Sequence, residues 1–159
     1  MKKGVKALVI ISLLLLIDQT VKSFIVTENN INLTLIPGWV RLSYIKNSGG
    51  AYGLGADNRL ILIVINLLLI FFMIKYLVNN FKTMNIEIIL SLLLILSGGI
   101  SNLTDRLLRG YVVDYIDINE FIKFPVFNIA DIYIVTGTFI MVVTILISTV
   151  KEQENTKKG

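Results

Sequence analysis

Two aspartates in the second half of the chain, Asp114 and Asp131, are the residues best suited to acid–base chemistry. The 159 residues include no histidine and no cysteine, which removes the commonest general base, the usual zinc ligands and any thiol chemistry. Proton transfer would therefore fall to carboxylates. When two carboxylates share a site, one keeps its proton while the other acts as base, and such a pair can activate water without a metal or cofactor.

The sequence leaves more than one interpretation of these aspartates open. If a helix begins after Asn128, that residue is its N-cap and Asp131 is at the third helical position, where the helix dipole favours a negative charge. Asp114 is expected at the end of the preceding helical region, so the two carboxylates could meet across the connection between the helices. Asp117 and Glu120 compete with Asp114 as partners of Asp131.

Composition indicates that a membrane surrounds these groups. Hydrophobic residues make up 55% of the chain and charged residues 16%, which is typical of an integral membrane protein. Four stretches reach the roughly 20 apolar residues that a membrane-spanning helix needs, at about 7–26, 60–78, 86–104 and 129–150. The first lacks a cleavage site of small residues and is interpreted as a retained helix. We predict an all-α integral membrane protein that forms a single domain over residues 1–159.

Lysines set the predicted orientation. They precede the first helix, flank the turn between the second and third, and fill the C-terminal tail, and cytoplasmic segments carry such an excess. Both termini are therefore predicted to be cytoplasmic, and the connections 27–59 and 105–128 to be extracytoplasmic. The alternating stretch WVRLSYI in the first connection predicts a short β-hairpin or small sheet, so the four helices should carry a small β-containing cap. The net charge of +4 gives no support for nucleic-acid binding.

Other polar groups lie near the outer ends of the helices. Asp18 and Lys22 are four residues apart on one helix face and can pair, either as a structural ion pair or as part of a ligand site. The glycine-rich stretch Asn47–Gly53 is either a plain loop or a loop whose backbone approaches a substrate.

A further polar group, Asn102, Asp105 and Arg106, is predicted at the outer end of the third helix, with Gly110 available for a left-handed turn after it. Asp105 and Arg106 could form a solvated interfacial pair. Alternatively, the Arg106 guanidinium could hold a carboxylate or phosphate oxygen with two parallel hydrogen bonds.

Five short motifs in this sequence together resemble the lipoprotein signal peptidases, also called signal peptidase II or prolipoprotein signal peptidase. In chain order they are Asp18-Gln19-x-x-Lys22, Asn47-x-Gly49-x-x-Tyr52-Gly53, Asn102-x-x-Asp105-Arg106, Gly110-x-Val112-Val113-Asp114-Tyr115 and Phe127-Asn128-x-Ala130-Asp131. The resemblance implies an aspartic endopeptidase of the bacterial inner or plasma membrane. It also implies the substrate, a prolipoprotein cut immediately before a cysteine that carries a diacylglyceryl group.

The resemblance implies that Asp114 and Asp131 form the catalytic dyad near the outer membrane face. It implies that seven further residues line or support the site: Asp18, Lys22, Asn47, Gly49, Asn102, Arg106 and Asn128. The helix dipole favours charge on Asp131, which makes it the expected base and Asp114 the expected acid. The expected partners are the prolipoprotein and membrane lipid, with a monomeric chain and no metal or cofactor.

The sequence departs from the usual family pattern at four positions. Ser101 replaces a usual glycine, Gly50 a common alanine, and Tyr52 and Tyr115 a common phenylalanine. None is an aspartate of the expected dyad, but local substrate contacts are expected to differ. Two other classes of function compete with a peptidase: a small transport or channel subunit with a polar path, and a structural assembly factor without catalysis.

Overall fold

The computed structural model describes residues 3–28, 31–49 and 58–158. Within these ranges the chain forms four helices and three strands. In chain order they are α1 (Lys3–Glu28), β1 (Asn32–Ile36), β2 (Val40–Asn47), α2 (Arg59–Asn80), α3 (Ile86–Leu108), β3 (Val112–Asp117) and α4 (Ile129–Lys158). The four helices of the described part are each long and apolar enough to cross a membrane. The predicted four-helix membrane fold is confirmed, and each helix extends beyond the apolar stretch that predicted it, α4 furthest, to Lys158.

Helix α3 is the centre of the bundle, because each of the other three helices packs against it. Leu92, Leu93 and Leu96 of α3 form a buried cluster with Ala7 of α1 and Leu77 of α2. By contrast, α1, α2 and α4 expose many large apolar side chains. Such surfaces are expected of helices that face lipid.

Glycines allow α3 and α4 to approach closely. A Cβ atom added at Gly98 would collide with the Ala130 carbonyl oxygen, and one added at Gly137 would lie 2.7 Å from the Ser91 carbonyl oxygen. Small residues at a helix crossing let two backbones pack closely in a membrane. The first turn of α4, which carries Asp131, is thereby held against α3.

The strands form one antiparallel sheet with the order β1-β2-β3. The hairpin of β1 and β2 confirms the sheet predicted in the first connection. Strand β3, from the second connection, was not predicted. It pairs with β2 so that Asn47 is opposite Val112 and Ile45 is opposite Asp114. Neighbouring positions on one face of an antiparallel pair can touch, so this register brings Asn47 close to Asp114.

The expected position of Asp114 at the end of the third helical region is wrong. Helix α3 ends at Leu108, and Gly110 then adopts the predicted left-handed conformation with a φ of 89°. This conformation costs little at glycine, which has no Cβ. The turn starts β3, so Asp114 is held by a strand ladder and not by a helix end.

Apolar side chains fix the sheet to the C-terminal end of α1. Val113 and Tyr115 of β3 are buried against Ile25 of α1. Because side chains alternate along a strand, Asp114 between them points to the opposite face. Packing of the cap on α1 therefore turns this carboxylate away from α1.

Candidate active site

Helix α4 begins with a reciprocal pair of hydrogen bonds between Asn128 and Asp131. The Asp131 backbone N–H donates to the Asn128 side-chain oxygen at 2.9 Å, and the Asn128 backbone N–H donates to the Asp131 carboxylate at 3.2 Å. This is the arrangement of a capping box, in which the side chain of the N-cap residue accepts from the backbone N–H three residues later (N3), and the N3 side chain accepts from the N-cap N–H. The predicted N-cap is confirmed, and the cap fixes the position of the Asp131 carboxylate.

The segment that leads into α4 runs beside β3. Phe127 exchanges backbone hydrogen bonds with Ile116 at 2.8 and 3.1 Å, and its carbonyl oxygen also accepts from the Tyr115 N–H at 3.0 Å. This pairing places Asn128 next to Asp114, which precedes Tyr115 in the strand. The backbone thus brings the two aspartates together across the connection.

Two asparagines hold the Asp114 carboxylate. Asn47 donates to one oxygen at 2.8 Å, and Asn128 donates to the other at 2.7 Å. Asp114 is only 2% exposed. Burial raises the pKa of its carboxyl to about 6, the nearby charge of Asp131 acts in the same direction, and the two hydrogen bonds oppose the shift. Near neutral pH this group is therefore poised to exchange a proton.

Asn128 bridges the two aspartates. Its side-chain NH₂ group contacts Asp114, while its side-chain oxygen and backbone N–H contact Asp131. Both carboxylates line one cavity of about 980 Å³. Four of the other predicted site residues also line it: Asn47, Gly49, Asn102 and Arg106.

Apolar side chains supply most of the remaining cavity wall. Ile122 and Phe124 contribute from the connection before α4, and Ile132 and Val135 contribute from α4 itself. Val135 is 68% exposed on the membrane-spanning helix. The cavity therefore extends from a polar end with two carboxylates to an apolar side that is continuous with the lipid-facing surface.

Asp18 and Lys22 lie behind the cavity wall and are fully buried. The Lys22 ammonium is 2.8 Å from Asp18, 3.0 Å from Asp105 and 2.9 Å from the side-chain oxygen of Asn102. An ammonium has three N–H groups to donate, so these three partners satisfy it. The predicted ion pair between Asp18 and Lys22 is confirmed.

Asn102 transmits the position of Lys22 to Asp131. Its side-chain oxygen accepts from Lys22, and its NH₂ group donates to the Asp131 carboxylate at 2.8 Å. If this amide were flipped, its NH₂ group would face the Lys22 ammonium, and two donors would meet with no acceptor between them. The buried ammonium therefore fixes which end of the Asn102 amide faces Asp131.

Of the two alternatives left open for Arg106, the solvated pair with Asp105 is not formed. Asp105 is fully buried, binds Lys22 and Arg109, and accepts a hydrogen bond from the Val113 backbone N–H at 3.2 Å. Arg106 instead donates to the Gly49 carbonyl oxygen at 2.9 Å. The i, i+4 spacing of Asp105 and Arg109 was a signal in the sequence that could have indicated the observed pair.

Asn47 and Arg106 together hold the start of the glycine-rich stretch. The Gly49 N–H donates to the Asn47 side-chain oxygen at 3.0 Å, and its carbonyl oxygen accepts from Arg106. The amide of Asn47 is thus oriented with its NH₂ group towards Asp114. Gly50, Tyr52 and Gly53 lie outside the described residues.

Three residues of the buried network were not predicted as site residues. Ser101 donates to Asp18 at 2.5 Å, and the NH₂ group of Gln19 donates to Ser101 at 2.8 Å and to Asp105 at 3.2 Å. Arg109 donates to the Gln19 oxygen at 3.1 Å. These contacts link α1 to α3 behind the cavity.

The competing carboxylates Asp117 and Glu120 lie elsewhere. Asp117 accepts from Arg41 at 2.6 Å, and Glu120 accepts from the Gly38 backbone N–H at 3.2 Å. These contacts fasten the end of β3 and the connection after it to the hairpin, and neither residue lines the cavity. Across residues 3–28, 31–49 and 58–158, no three acidic side chains cluster so as to hold a metal ion.

A family model described as signal peptidase (SPase) II matches residues 10–147 of the chain. The chain belongs to the signal peptidase II family. It is a signal peptidase, and hence a hydrolase, carried by a multi-pass membrane fold.

Similar proteins cover nearly the whole chain. The lipoprotein signal peptidase of Streptococcus pneumoniae strain R6 is 37% identical over 148 residues, which span 92% of this chain and 95% of that protein. The lipoprotein signal peptidase of Streptococcus pyogenes serotype M5 is 39% identical over 142 residues, 87% of this chain and 92% of that protein.

Solved structures support the same fold. One, described as a bacterial membrane enzyme, superposes with a TM-score of 0.81 at 27% identity over 94% of this chain and 92% of that chain. A second, with the same description, gives a TM-score of 0.78 at 26% identity, over 92% of this chain and 95% of that one.

Proposed function

We propose that this signal peptidase is an aspartic endopeptidase that removes the signal peptide from diacylglyceryl-modified prolipoproteins by cutting before the lipidated cysteine. The observation that carries the proposal is the bridge of Asn128 between Asp114 and Asp131 at one end of a largely apolar cavity. Relatives that carry the name lipoprotein signal peptidase support the choice of substrate.

The dyad activates a water molecule for attack on the scissile carbonyl. One carboxylate removes a proton from the water as its oxygen bonds to the carbonyl carbon, and the other carboxylic acid protonates the carbonyl oxygen. In the collapse of the tetrahedral gem-diol intermediate, the carboxylic acid formed from the base protonates the departing amine as the C–N bond breaks, and one hydroxyl returns its proton to the other carboxylate as the C=O bond re-forms. The chemistry uses only this chain's carboxylates and water.

Asp131 is proposed as the base and Asp114 as the acid. Each carboxylate accepts two hydrogen bonds, so the difference lies in the position of Asp131 at the N-terminus of α4, where the helix dipole favours its ionised form. Burial of the Asp114 carboxyl raises its pKa to about 6, which favours its protonated form. Coupled carboxyls titrate as a pair, so pH profiles report the dyad as a unit.

The supporting residues divide into two groups. Asn47, Gly49, Asn102 and Arg106 line the cavity, where they can contact the substrate peptide as well as hold the dyad. Asp18, Lys22 and Asn128 are buried and fix the elements that carry the aspartates. The apolar side of the cavity, with Ile132 and Val135, suits acyl chains that enter sideways from the bilayer.

We propose that the chain acts as one monomeric membrane domain with both termini in the cytoplasm. The lysine-rich ends then lie inside, as positively charged segments prefer, and the sheet and dyad lie at the outer face. A prolipoprotein anchored by its signal helix and acyl chains would present its scissile bond at that depth.

The buried charges favour surface chemistry over transport. Among the described residues the buried charged side chains are Asp18, Lys22, Asp105, Asp114 and Asp117. They gather at the end of the bundle that carries the sheet. A transport path would need polar groups spread through the depth of the membrane.

One cleavage assay tests the proposal. Purified chain in detergent is incubated with a diacylglyceryl-modified precursor and with the same precursor lacking lipid. We expect a shortened product from the lipidated precursor alone, and at least a thousandfold slower cleavage by Asp114→Asn and by Asp131→Asn.

Asp117→Asn is the matched control, because it removes a carboxylate from the same strand without touching the cavity. It should keep near-normal activity. Normal cleavage by Asp131→Asn would exclude the dyad. A folded wild-type chain that leaves the lipidated precursor uncut would exclude the proposed substrate.

A further inference from the structure

Arg109 completes a buried group of charges next to the dyad. Its guanidinium contacts the Asp105 carboxylate, donates to the Gln19 oxygen at 3.1 Å and lies 3.3 Å from the Ser23 hydroxyl. The side chain is 22% exposed and closes the network on its outer side. Arg109 does not line the cavity.

The charges of this group balance only when Arg109 is present. Asp18 and Asp105 each contribute one negative charge, and Lys22 contributes one positive charge that both share. Without Arg109 the group carries a net charge of −1 in a fully buried setting. A buried charge without a partner is costly, so the remaining ammonium would be drawn more strongly to the carboxylates.

The same ammonium holds the amide that faces Asp131. Lys22 donates to Asn102, and Asn102 donates to Asp131. Asp105 also accepts from the Val113 N–H, and Val113 adjoins Asp114 in β3. A disturbance at Asp105 therefore reaches both aspartates, one through an amide and the other through the strand.

The charges of this buried group also act on the dyad through space. The Lys22 charge lowers the pKa of the Asp114 carboxyl against the stronger effect of burial. Loss of the Arg109 charge should raise the pKa of the Asp114 carboxyl, since added negative potential favours the protonated form of a carboxyl.

Other polar groups around Arg109 and the dyad do not replace this charge. Tyr44 and Tyr111 share a hydrogen bond of 2.8 Å near Arg109, and burial raises the pKa of Tyr44 to about 12, so it is neutral in the working range. Arg59 donates to the Arg106 carbonyl oxygen, and Arg106 donates to Gly49. The two arginines are held by backbone carbonyls and form no ion pair with Asp105, although the charges of Asp105, Asp114 and Asp131 act on Arg106. Lys46 lines the cavity and lies over the rings of Tyr44 and Tyr111, and it forms no ion pair with a described carboxylate.

We propose that Arg109 is a positioning residue of the peptidase reaction: by neutralising Asp105 it leaves the Lys22 ammonium on Asn102, and thereby the Asn102 amide on Asp131. The inference rests on the proposed function, because it assigns the ionisation of the dyad to the chemical step. Arg109 lies outside the five sequence motifs, so only its contacts point to this role.

The pH profile of cleavage tests the role. For Arg109→Gln, both limbs of the profile of kcat should move to higher pH by roughly half a unit or more, because the dyad then sits beside an uncompensated negative charge. KM should stay within about twofold, since Arg109 does not touch the cavity. Arg109→Lys, which keeps the charge, should restore most of the wild-type profile.

Arg41→Gln is the matched control, because it breaks another arginine–aspartate pair, with Asp117, away from the cavity. The two limbs of the kcat–pH profile of Arg41→Gln should stay at the wild-type pH. A second arm uses the exposed residue Ser23: Ser23→Asp offers Arg109 a competing carboxylate and should shift the limbs upward, whereas Ser23→Asn should not. This pair tests the proposal even if Arg109→Gln does not fold.

Unshifted limbs in both Arg109→Gln and Ser23→Asp would overturn the positioning role. So would an equal shift in Arg109→Lys, or a change confined to KM. Wild type and Asp131→Asn are measured first on the lipidated precursor. Absence of wild-type cleavage would contradict the proposed function, and is thus distinguished from a failure of the role of Arg109.

Discussion

Asn128 and Asp131 hold each other through two hydrogen bonds, one from the Asp131 backbone N–H to the Asn128 side chain at 2.9 Å and one from the Asn128 backbone N–H to the Asp131 carboxylate at 3.2 Å. The same Asn128 side chain donates to Asp114 at 2.7 Å. One residue therefore both starts a membrane helix and spaces a pair of carboxylates. Folding of the helix and assembly of the site are coupled at this point.

Serine and alanine at position 128 should separate these two roles. Asn128→Ser keeps an N-cap acceptor for Asp131 but loses the NH₂ group that contacts Asp114, whereas Asn128→Ala loses both. We expect cleavage by both variants to fall at least tenfold, and Asn128→Ala to be about 1 kcal/mol less stable than Asn128→Ser. Unfolding in detergent and the cleavage assay measure the two effects. Wild-type activity in Asn128→Ser would show that the NH₂ group is dispensable.

The rate of cleavage should fall as the pH rises through about 6. The pKa of the Asp114 carboxyl is raised to about 6, so the acid form persists up to that pH and is lost above it. Because kcat/KM reports the free enzyme, it should decline tenfold per pH unit beyond this limb if Asp114 is the acid.

Asn47→Ala should move the alkaline limb of the pH profile to higher pH. The Asn47 hydrogen bond lowers the pKa of the Asp114 carboxyl, so its loss should raise that pKa and move the alkaline limb to higher pH. Profiles of kcat/KM between pH 4.5 and 8 on the lipidated precursor compare the two proteins. A flat wild-type profile, or a limb that moves down in Asn47→Ala, would contradict the assignment of Asp114 as acid.

Alanine at two adjacent glycines of α3 should have very different effects. A Cβ at Gly98 meets the Ala130 carbonyl oxygen, so α4 must move and take Asp131 with it. A Cβ at Gly99 comes no closer than 3.5 Å to Asn66, which is ordinary contact. We expect Gly98→Ala to lose about 1–3 kcal/mol of stability and at least tenfold in cleavage rate.

Gly99→Ala serves as the control and should stay close to wild type in both measurements. Thermal unfolding of the two variants in the same detergent, together with the cleavage rate, makes the comparison. Equal stability of the two variants would mean that the close approach of α3 and α4 is not required.

The helices and the N-cap were accessible from the sequence because their signals are local. A run of apolar residues of sufficient length predicts a spanning helix, and an asparagine three residues before an aspartate predicts a cap. The alternation around Trp39 likewise predicted the hairpin. Each depends on neighbours within a few positions of the chain.

Strand β3 and the buried charge group depend on partners far along the chain. The stretch VVDYID has valine, tyrosine and isoleucine suited to a strand, but its pairing with β2 depends on contacts across some 70 residues of sequence. Lys22 likewise receives Asp105 and Asn102 from α3. The i, i+4 spacing predicted its partner Asp18, but it could not reveal that Asp105 and Arg109, far along the chain, add two more charges to the group.

The length of α4 has a consequence for where the dyad sits. Residues 132–150 carry no charge and extend roughly 28 Å at about 1.5 Å per residue, close to the thickness of the hydrocarbon core. Asp131 and Lys151 therefore bound an uncharged segment whose length is close to the thickness of the hydrocarbon core. Because mismatch is relieved by tilt or local thinning, we expect the acyl length of the surrounding lipid to influence how deeply the carboxylates lie, and so how readily water reaches them.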